Sequence, residues 1–386
     1  MHKLKVNSVA SLMSGVLLIV AASGQQKPEW HGTIGLEDGV RVINNPAKPL
    51  HGELELKLLE DLSIGSKNSE QSCFHLVWDV KSDTFGNIYV ADTWNGRVQK
   101  YDGAGRYLRT LGKNAVGFTQ PTRININEPS GTVFVQTSIQ GIKMFNSNDQ
   151  YQGAIDSKYS IHGFRPVDAS RVIAIIGIQD DEKLAAVRSL FKLGSGIQPK
   201  RISEEFPFNL ILERTGGATL SVESGFEVNL YLARLDNRTF VYGYSREYEL
   251  NVIDIEGRLL YRFSRDAAAP AFSLDERRLF KHHPVPEMKP YFFDILTDSE
   301  GRIYIQRNKT KGILNTVQEK TSREVDIFSK DGYFLYTSIL PSNTCEISDG
   351  RLYAYVVDEA TGLESVKRYK IRNWSEILTS KYQTRK

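Results

Sequence analysis

The stretch from Trp78 to Gly112 reads WDVKSDTFGNIYVADTWNGRVQKYDGAGRYLRTLG, and it decides how the rest of the chain is read. Four β-prone runs lie in it, each separated from the next by turn residues. Asp83 and Gly86 mark a tight turn, and Ile88-Tyr89-Val90-Ala91 follows as a strand. A second turn at Trp94-Asn95-Gly96 leads into Arg97-Val98, and a third at Asp102-Gly103 with Gly105 leads into Tyr107-Leu108. Four short antiparallel strands make a small sheet with two faces to cover, so such a unit needs neighbours of its own kind.

The chain supplies them. Six segments carry a turn residue and then an aromatic or large apolar residue three positions later. They are Gly86-Asn87-Ile88-Tyr89-Val90, Gly131-Thr132-Val133-Phe134-Val135, Ser170-Arg171-Val172-Ile173-Ala174, Asn237-Arg238-Thr239-Phe240-Val241, Gly301-Arg302-Ile303-Tyr304-Ile305 and Gly350-Arg351-Leu352-Tyr353-Ala354. Each reads as the second strand of a four-stranded blade. The apolar runs before the turns, such as Leu76-Val77-Trp78-Asp79-Val80 and Phe292-Phe293-Asp294-Ile295-Leu296, read as innermost strands. Third strands recur at 97–102, 141–146, 187–192, 249–254, 324–329 and 365–370.

Only five fourth strands follow their own third strand, at 107–111, 151–155, 199–204, 259–263 and 334–340. The missing one is expected at the other end of the chain. Leu54-Glu55-Leu56-Lys57-Leu58-Leu59 alternates as a strand should, and residues 61–65 resemble the exit of a fourth strand. Placed beside 343–371, this strand completes the sixth sheet and removes its exposed edge. The alternative donor is 375–386. A sandwich also uses many short strands, but it does not require six equivalent units across the whole chain. The expected fold is therefore all-β: a six-bladed β-propeller of four-stranded antiparallel blades, the ring closed by an N-terminal strand.

The unit at Trp78–Gly112 resembles an NHL repeat. The residues that carry the resemblance are Asp83, Gly86-Asn87-Ile88-Tyr89-Val90-Ala91-Asp92, Asn95, Arg97-Val98, Tyr101-Asp102 and Gly105. The later units are weaker copies, and 298–332 carries a long insert. A leader, an extension and six such units are similar to the NHL-repeat-like bacterial six-bladed β-propeller family, over roughly residues 50–372. That resemblance is specific for fold and poor for activity, because such propellers include binding scaffolds, RNA readers and lyases.

The N-terminus reads as a secretory signal. Lys3 and Lys5 precede an apolar stretch, and Ala22-Ser23-Gly24 suits cleavage before Gln25. The stretch is shorter than the roughly 20 apolar residues of a membrane span. The domain reading is a signal peptide at 1–24, an extension at 25–52, the propeller at 53–374 and a tail at 375–386. The expected location is secreted or periplasmic, with no membrane span after cleavage. Without the leader, 47 basic residues face 46 acidic ones, so neither charge nor compartment suits nucleic acid. Cys73 and Cys345 are the only cysteines. In the repeat register they are offset by about 20 Å of strand, and a disulfide needs Cα atoms within about 7 Å, so two separate thiols are expected.

Long connections at 205–225, 265–290 (with Arg277, Arg278, Lys281, His282 and His283) and 306–323 (with Arg307, Lys309, Lys311 and Lys320) build up one side of the ring face. His75 and His162 lie near the start of innermost strands. Family resemblance to the amidating lyase, which holds zinc with channel-facing histidines, makes them candidate ligands. Tyr291, Arg123 and Thr344 stand where further histidines would be needed, so no cofactor is expected, with zinc or calcium the metals such a channel could accept. Asp79 and Asp294 occupy matching positions and could bind a cation, act as acid and base, or cap structure. Arg123 and Arg165 suit an anionic ligand or inter-blade salt bridges. Trp94 is a candidate glycan or peptide contact. The candidate ligand-binding set is His75, Asp79, Arg123, His162, Arg165, Tyr291, Asp294 and Arg307. No nucleophile, phosphate-loop or dinucleotide motif occurs. The resulting expectation is an extracytoplasmic binding or interaction module that meets a small molecule, glycan or protein on one face of the ring. The alternative is a lyase or hydrolase at the channel mouth.

Overall fold

The computed structural model describes residues 29–112, 118–137, 141–180, 185–208, 211–215, 218–222, 228–272, 274–279, 288–307 and 322–380. The signal reading at 1–24, Gly216-Gly217, the loop residues Lys281, His282, His283, Lys309, Lys311 and Lys320, and the end of the tail at 381–386 lie outside the described residues.

Six antiparallel sheets stand in a ring. The first blade is Val77–Ser82, Ile88–Asp92, Arg97–Tyr101 and Tyr107–Leu111. The second is Pro121–Asn127, Thr132–Thr137, Gly141–Phe145 and Tyr151–Asp156. The third is Ser160–Pro166, Arg171–Asp180, Ala185–Gly194 and Ile197–Arg201, with Phe206–Phe208 added along Ala185–Gly194. The fourth is Leu230–Arg234, Thr239–Tyr244, Glu249–Asp254 and Leu259–Arg265. The fifth is Phe292–Thr297, Ile303–Arg307, Ser322–Phe328 and Phe334–Pro341. The sixth is Thr344–Ser348, Arg351–Val357 and Glu364–Ile371, and Leu58–Ile64 lies antiparallel beside the last of these.

The six repeated residues of the second strands occupy equivalent places. Tyr89, Phe134, Ile173, Phe240, Tyr304 and Tyr353 are all buried. Across the ladder they face Lys81, Asn125, Arg165, Arg234, Leu296 and Glu346. Those six partners all line one cavity on the axis. Side chains alternate across a strand, and the two faces of each blade are sealed by its neighbours. Tyr353 and Val366 of blade six pack with Val77, Val80 and Val90 of blade one. Val98 and Leu111 meet Ile124, Val133 and Val135 at the next interface. Phe134 and Ile142 meet Phe164 and Val172 at the third. Ile173 and Leu190 meet Leu232 and Phe240 at the fourth, and one large cluster fills the joints of blades four, five and six. Each fully buried side chain of this size contributes about 1.5–3 kcal/mol, which is why the apolar positions repeat.

The turns that set up this geometry use one device. Asp83 Oδ1 accepts from the backbone N–H of Phe85 and Asn87, and Asp298 Oδ1 accepts from Glu300 and Arg302 in the same way. Gly86 and Gly301 then take φ of 80° and 81°, a conformation that a side chain would strain.

The chain before residue 65 is woven into three blades. Val40–Asn45 runs parallel to Leu259–Arg265 on the outside of blade four, with Thr33–Glu37 beyond it. Buried Asn45 ties this segment to blade five: its amide donates to Ser264 O and Gly332 O, and its Oδ1 accepts from Phe334 N–H. Glu53–Leu54 then pairs with Phe334–Pro341. The strand expected at residues 54–59 thus begins later, at Leu58. Leu54, Leu56 and Leu58 pack on the blade four-to-six core, so their alternation serves a crossing segment before it serves the sixth sheet. Among the described residues the only helices are Leu274–Leu279 and a single turn at Trp374–Glu376. No helix there is long and apolar enough to cross a membrane.

Candidate functional site: the channel mouth

The innermost strands enter the ring at one mouth and leave at the other, where the aspartate turns lie. Near the entry the ladder slips by one residue in five blades: between Val77 and Asp79, at Pro121–Arg123, between Ile161 and Gly163, between Phe292 and Asp294, and between Thr344 and Glu346. A bulge of this kind re-aims the extra side chain. Trp78, Thr122, Phe293 and Cys345, four of the bulged residues, line a cavity of about 220 Å³ at the entry mouth. Trp78 is half exposed.

The charged residues lining that cavity are Asp79, Lys81, Arg123, Arg165 and Asp294. Asp79 is anchored: Oδ1 accepts from Val80 N–H and Oδ2 from Ile124 N–H, both at 2.9 Å, and Lys81 Nζ is 3.4 Å away. Burial works against the Lys81 charge, yet Asp79 and Glu346 outweigh it and raise its pKa. Asp294 Oδ1 accepts from Ile295 N–H. Burial pushes the Asp294 carboxyl up, against the pull of Arg123 and Arg165. Burial, reinforced by Arg123, lowers the Arg165 guanidinium to about 10. Its described hydrogen bond is to the carbonyl of Phe164.

A second cavity of about 320 Å³ opens toward the turn side and shares Lys81, Asn125, Arg165, Leu296 and Cys345 with the first. These residues form the waist of the channel. Glu346 lies on the turn side of that waist and accepts from the backbone and hydroxyl of Ser82. Burial raises its carboxyl to about 7, despite Lys81. The Cys345 thiol is pushed up to about 12 by burial and by Asp79.

The structure therefore brings together Asp79, Arg123, Arg165 and Asp294 from the sequence-derived set. The other four stand elsewhere. His75 packs edge-on against Trp94 at 4.5 Å and lines neither channel cavity. His162 lies against Phe208, and burial with Arg188 and Arg123 lowers its imidazole to about 3. Tyr291 meets Tyr248 edge-on. Arg307 pairs with Glu324 at 2.9 Å and Asp326 at 3.0 Å, and Asp326 also accepts from Tyr248 and Arg265. Among the described residues, no three His, Cys, Asp or Glu side chains gather as metal ligands would. Cys73 and Cys345 are both free thiols.

Sequence reasoning passed over Lys81, Glu346, Trp78 and Phe293. A usable signal existed for the first two: each sits across the ladder from a repeated tyrosine.

The fold has known counterparts. A member of the DUF4221 family from Bacteroides vulgatus ATCC 8482 superposes with a TM-score of 0.50 at 11% identity, covering 82% of this chain and 98% of that one. A protein of Bacteroides fragilis NCTC 9343, named as a candidate exported protein, gives 0.48 at 9% identity over 86% and 99%. The β-propeller domain of Myceliophteria thermophila Cps50 (Swd1) gives 0.43 at 10% over 81% and 99%. At these identities the likeness concerns fold alone. No protein-family profile matches the chain, and no curated protein sequence does.

Proposed function

We propose that this chain is an exported, NHL-type propeller that binds a ligand or partner group at the entry mouth of its channel. The carrying observation is the convergence of Asp79, Arg123, Arg165 and Asp294, from blades one, two, three and five, on one cavity rimmed by Trp78 and Phe293. Charged groups held at fixed positions beside aromatic surface are what small-ligand sites use for orientation and affinity. Export is supported by the basic, apolar and small-residue order of residues 1–24.

The test is a thermal-shift screen of organic acids, sugars and short peptides against the wild type and the Trp78→Ala and Asp294→Asn variants. A ligand that raises the wild-type Tm should lose its effect in at least one variant. Ligands that act equally on all three proteins would place binding elsewhere. One observation favours the alternative of a lyase or hydrolase: Glu346, with its pKa near 7, suits general acid–base work in the turn-side chamber. Turnover of a sugar, peptide or lactone that vanishes in Glu346→Gln would support that reading.

A further inference from the structure

We infer that the group recognised at the entry mouth is the carboxylate of a small organic acid, held between Arg123 and Arg165; this rests on the mouth being a binding site. Three basic and two acidic side chains line the cavity. Lys81 and Asp79 are already paired at 3.4 Å. Asp294 offsets one further charge, so the side chains lining this cavity carry one positive charge in excess, with Glu346 facing Lys81 from the turn side of the waist. Among the described residues neither Arg123 nor Arg165 has a carboxylate within salt-bridge distance, in contrast to Arg307, Arg302 and Arg265 elsewhere in the ring. Guanidinium groups in a partly dehydrated channel are costly without an anion. Burial and the neighbouring Arg123 work against the Arg165 charge, and Asp294 and Asp79 only partly offset them. A carboxylate that accepts from both relieves that repulsion and fits the planar fork of the guanidinium.

The neighbours of the pair narrow the class. The cavity holds about 220 Å³, room for a molecule that displaces roughly seven waters. Trp78, Phe293 and Tyr355 line it and provide flat apolar surface for the rest of the ligand. A second negative charge would meet Asp79 and Asp294, so a monoanion is preferred over a dianion. The Cys345 thiol is neutral there and adds no charge.

Isothermal titration of the purified protein tests this with benzoate, its neutral isostere benzamide and the cation benzylamine. Benzoate should bind saturably, and benzamide at least tenfold more weakly. Arg123→Gln and Arg165→Gln should each weaken benzoate by about tenfold or more, the scale of one charge-assisted hydrogen bond. Arg165→Lys should retain more affinity than Arg165→Gln. A glucuronate arm separates a sugar acid from a flat aromatic acid: if stacking matters, benzoate binds more tightly and loses more in Trp78→Ala. Should Arg165→Gln fail to fold, Arg123→Gln and the benzoate–benzamide ratio decide. The inference is overturned if benzamide or benzylamine equals benzoate, if neither arginine variant changes the affinity, or if benzoate and glucuronate both fail to bind at millimolar concentration. Neutral or cationic probes that bind and are lost in Asp294→Asn would keep the mouth as the site and remove only the carboxylate.

Discussion

The hydroxyl of Tyr304 donates to Asp298 Oδ2 at 2.8 Å, and Tyr89 donates to Asp83 Oδ2 at 3.2 Å in the equivalent blade. The repeated aromatic therefore has two tasks. Its ring fills the space between blades, and in these two copies its hydroxyl completes the acceptor set of the turn aspartate. That double use explains why acid, glycine and tyrosine keep their spacing in both segments.

In blade five the aspartate also holds Arg302, which is fully buried, at 2.6 Å. The guanidinium lies 3.9 Å from the ring centroid of Trp374 and donates to Ile377 O. Asp298→Ala would strand that charge in the core. The expected cost is about 3–5 kcal/mol, read as a fall in the urea midpoint. Asp83→Ala, whose turn holds no buried arginine, should cost about 1–2 kcal/mol.

Glu364 joins the sixth blade to the first. Its two oxygens accept from the backbone N–H groups of Leu76 and Val77 at 2.8 and 2.6 Å. Glu364→Ala leaves both donors without that acceptor and should destabilise by about 2–3 kcal/mol. Hydrogen exchange should rise first at residues 76 and 77.

Glu346 makes stability depend on pH in a predictable direction. Its folded pKa is raised to about 7 from an ordinary value of 4.5. A raised carboxyl stabilises the fold while protonated, so this contribution is full below pH 4.5 and is lost as pH climbs through 7. The total is about 3 kcal/mol at most. Urea midpoints at pH 5 and pH 8 should differ less in Glu346→Gln than in the wild type.

The two thiols should react at different rates. Cys73 is exposed, whereas Cys345 sits at the channel waist with its pKa near 12. A thiol reagent at pH 8 should label Cys73 fast and Cys345 slowly. Mass measurement without reductant should show no bridge between them.

Much of the ring was legible in the sequence because its signals are local. A turn acid, a glycine and an apolar alternation lie within ten residues of one another, so Ile303–Arg307 and Glu249–Asp254 could be placed closely. Segments fixed by distant contacts were less legible. Val40–Asn45 lies along the edge that blade four offers, and Leu58–Ile64 starts where Ile371 allows. The site divided in the same way. Asp79, Arg123, Arg165 and Asp294 lie on innermost strands, so the repeat alone pointed them inward. His75 faces Trp94 because it precedes the strand, where alternation no longer sets direction. Lys81 and Glu346 face repeated tyrosines across the ladder, but the contacts that join them across blades one and six are distant in sequence.

A crystal structure of the protein grown with saturating benzoate tests the account most directly. The account predicts the carboxylate between Arg123 and Arg165, with the ring toward Trp78 and Phe293. A channel without ligand, or benzoate bound on the outer blades, would contradict it.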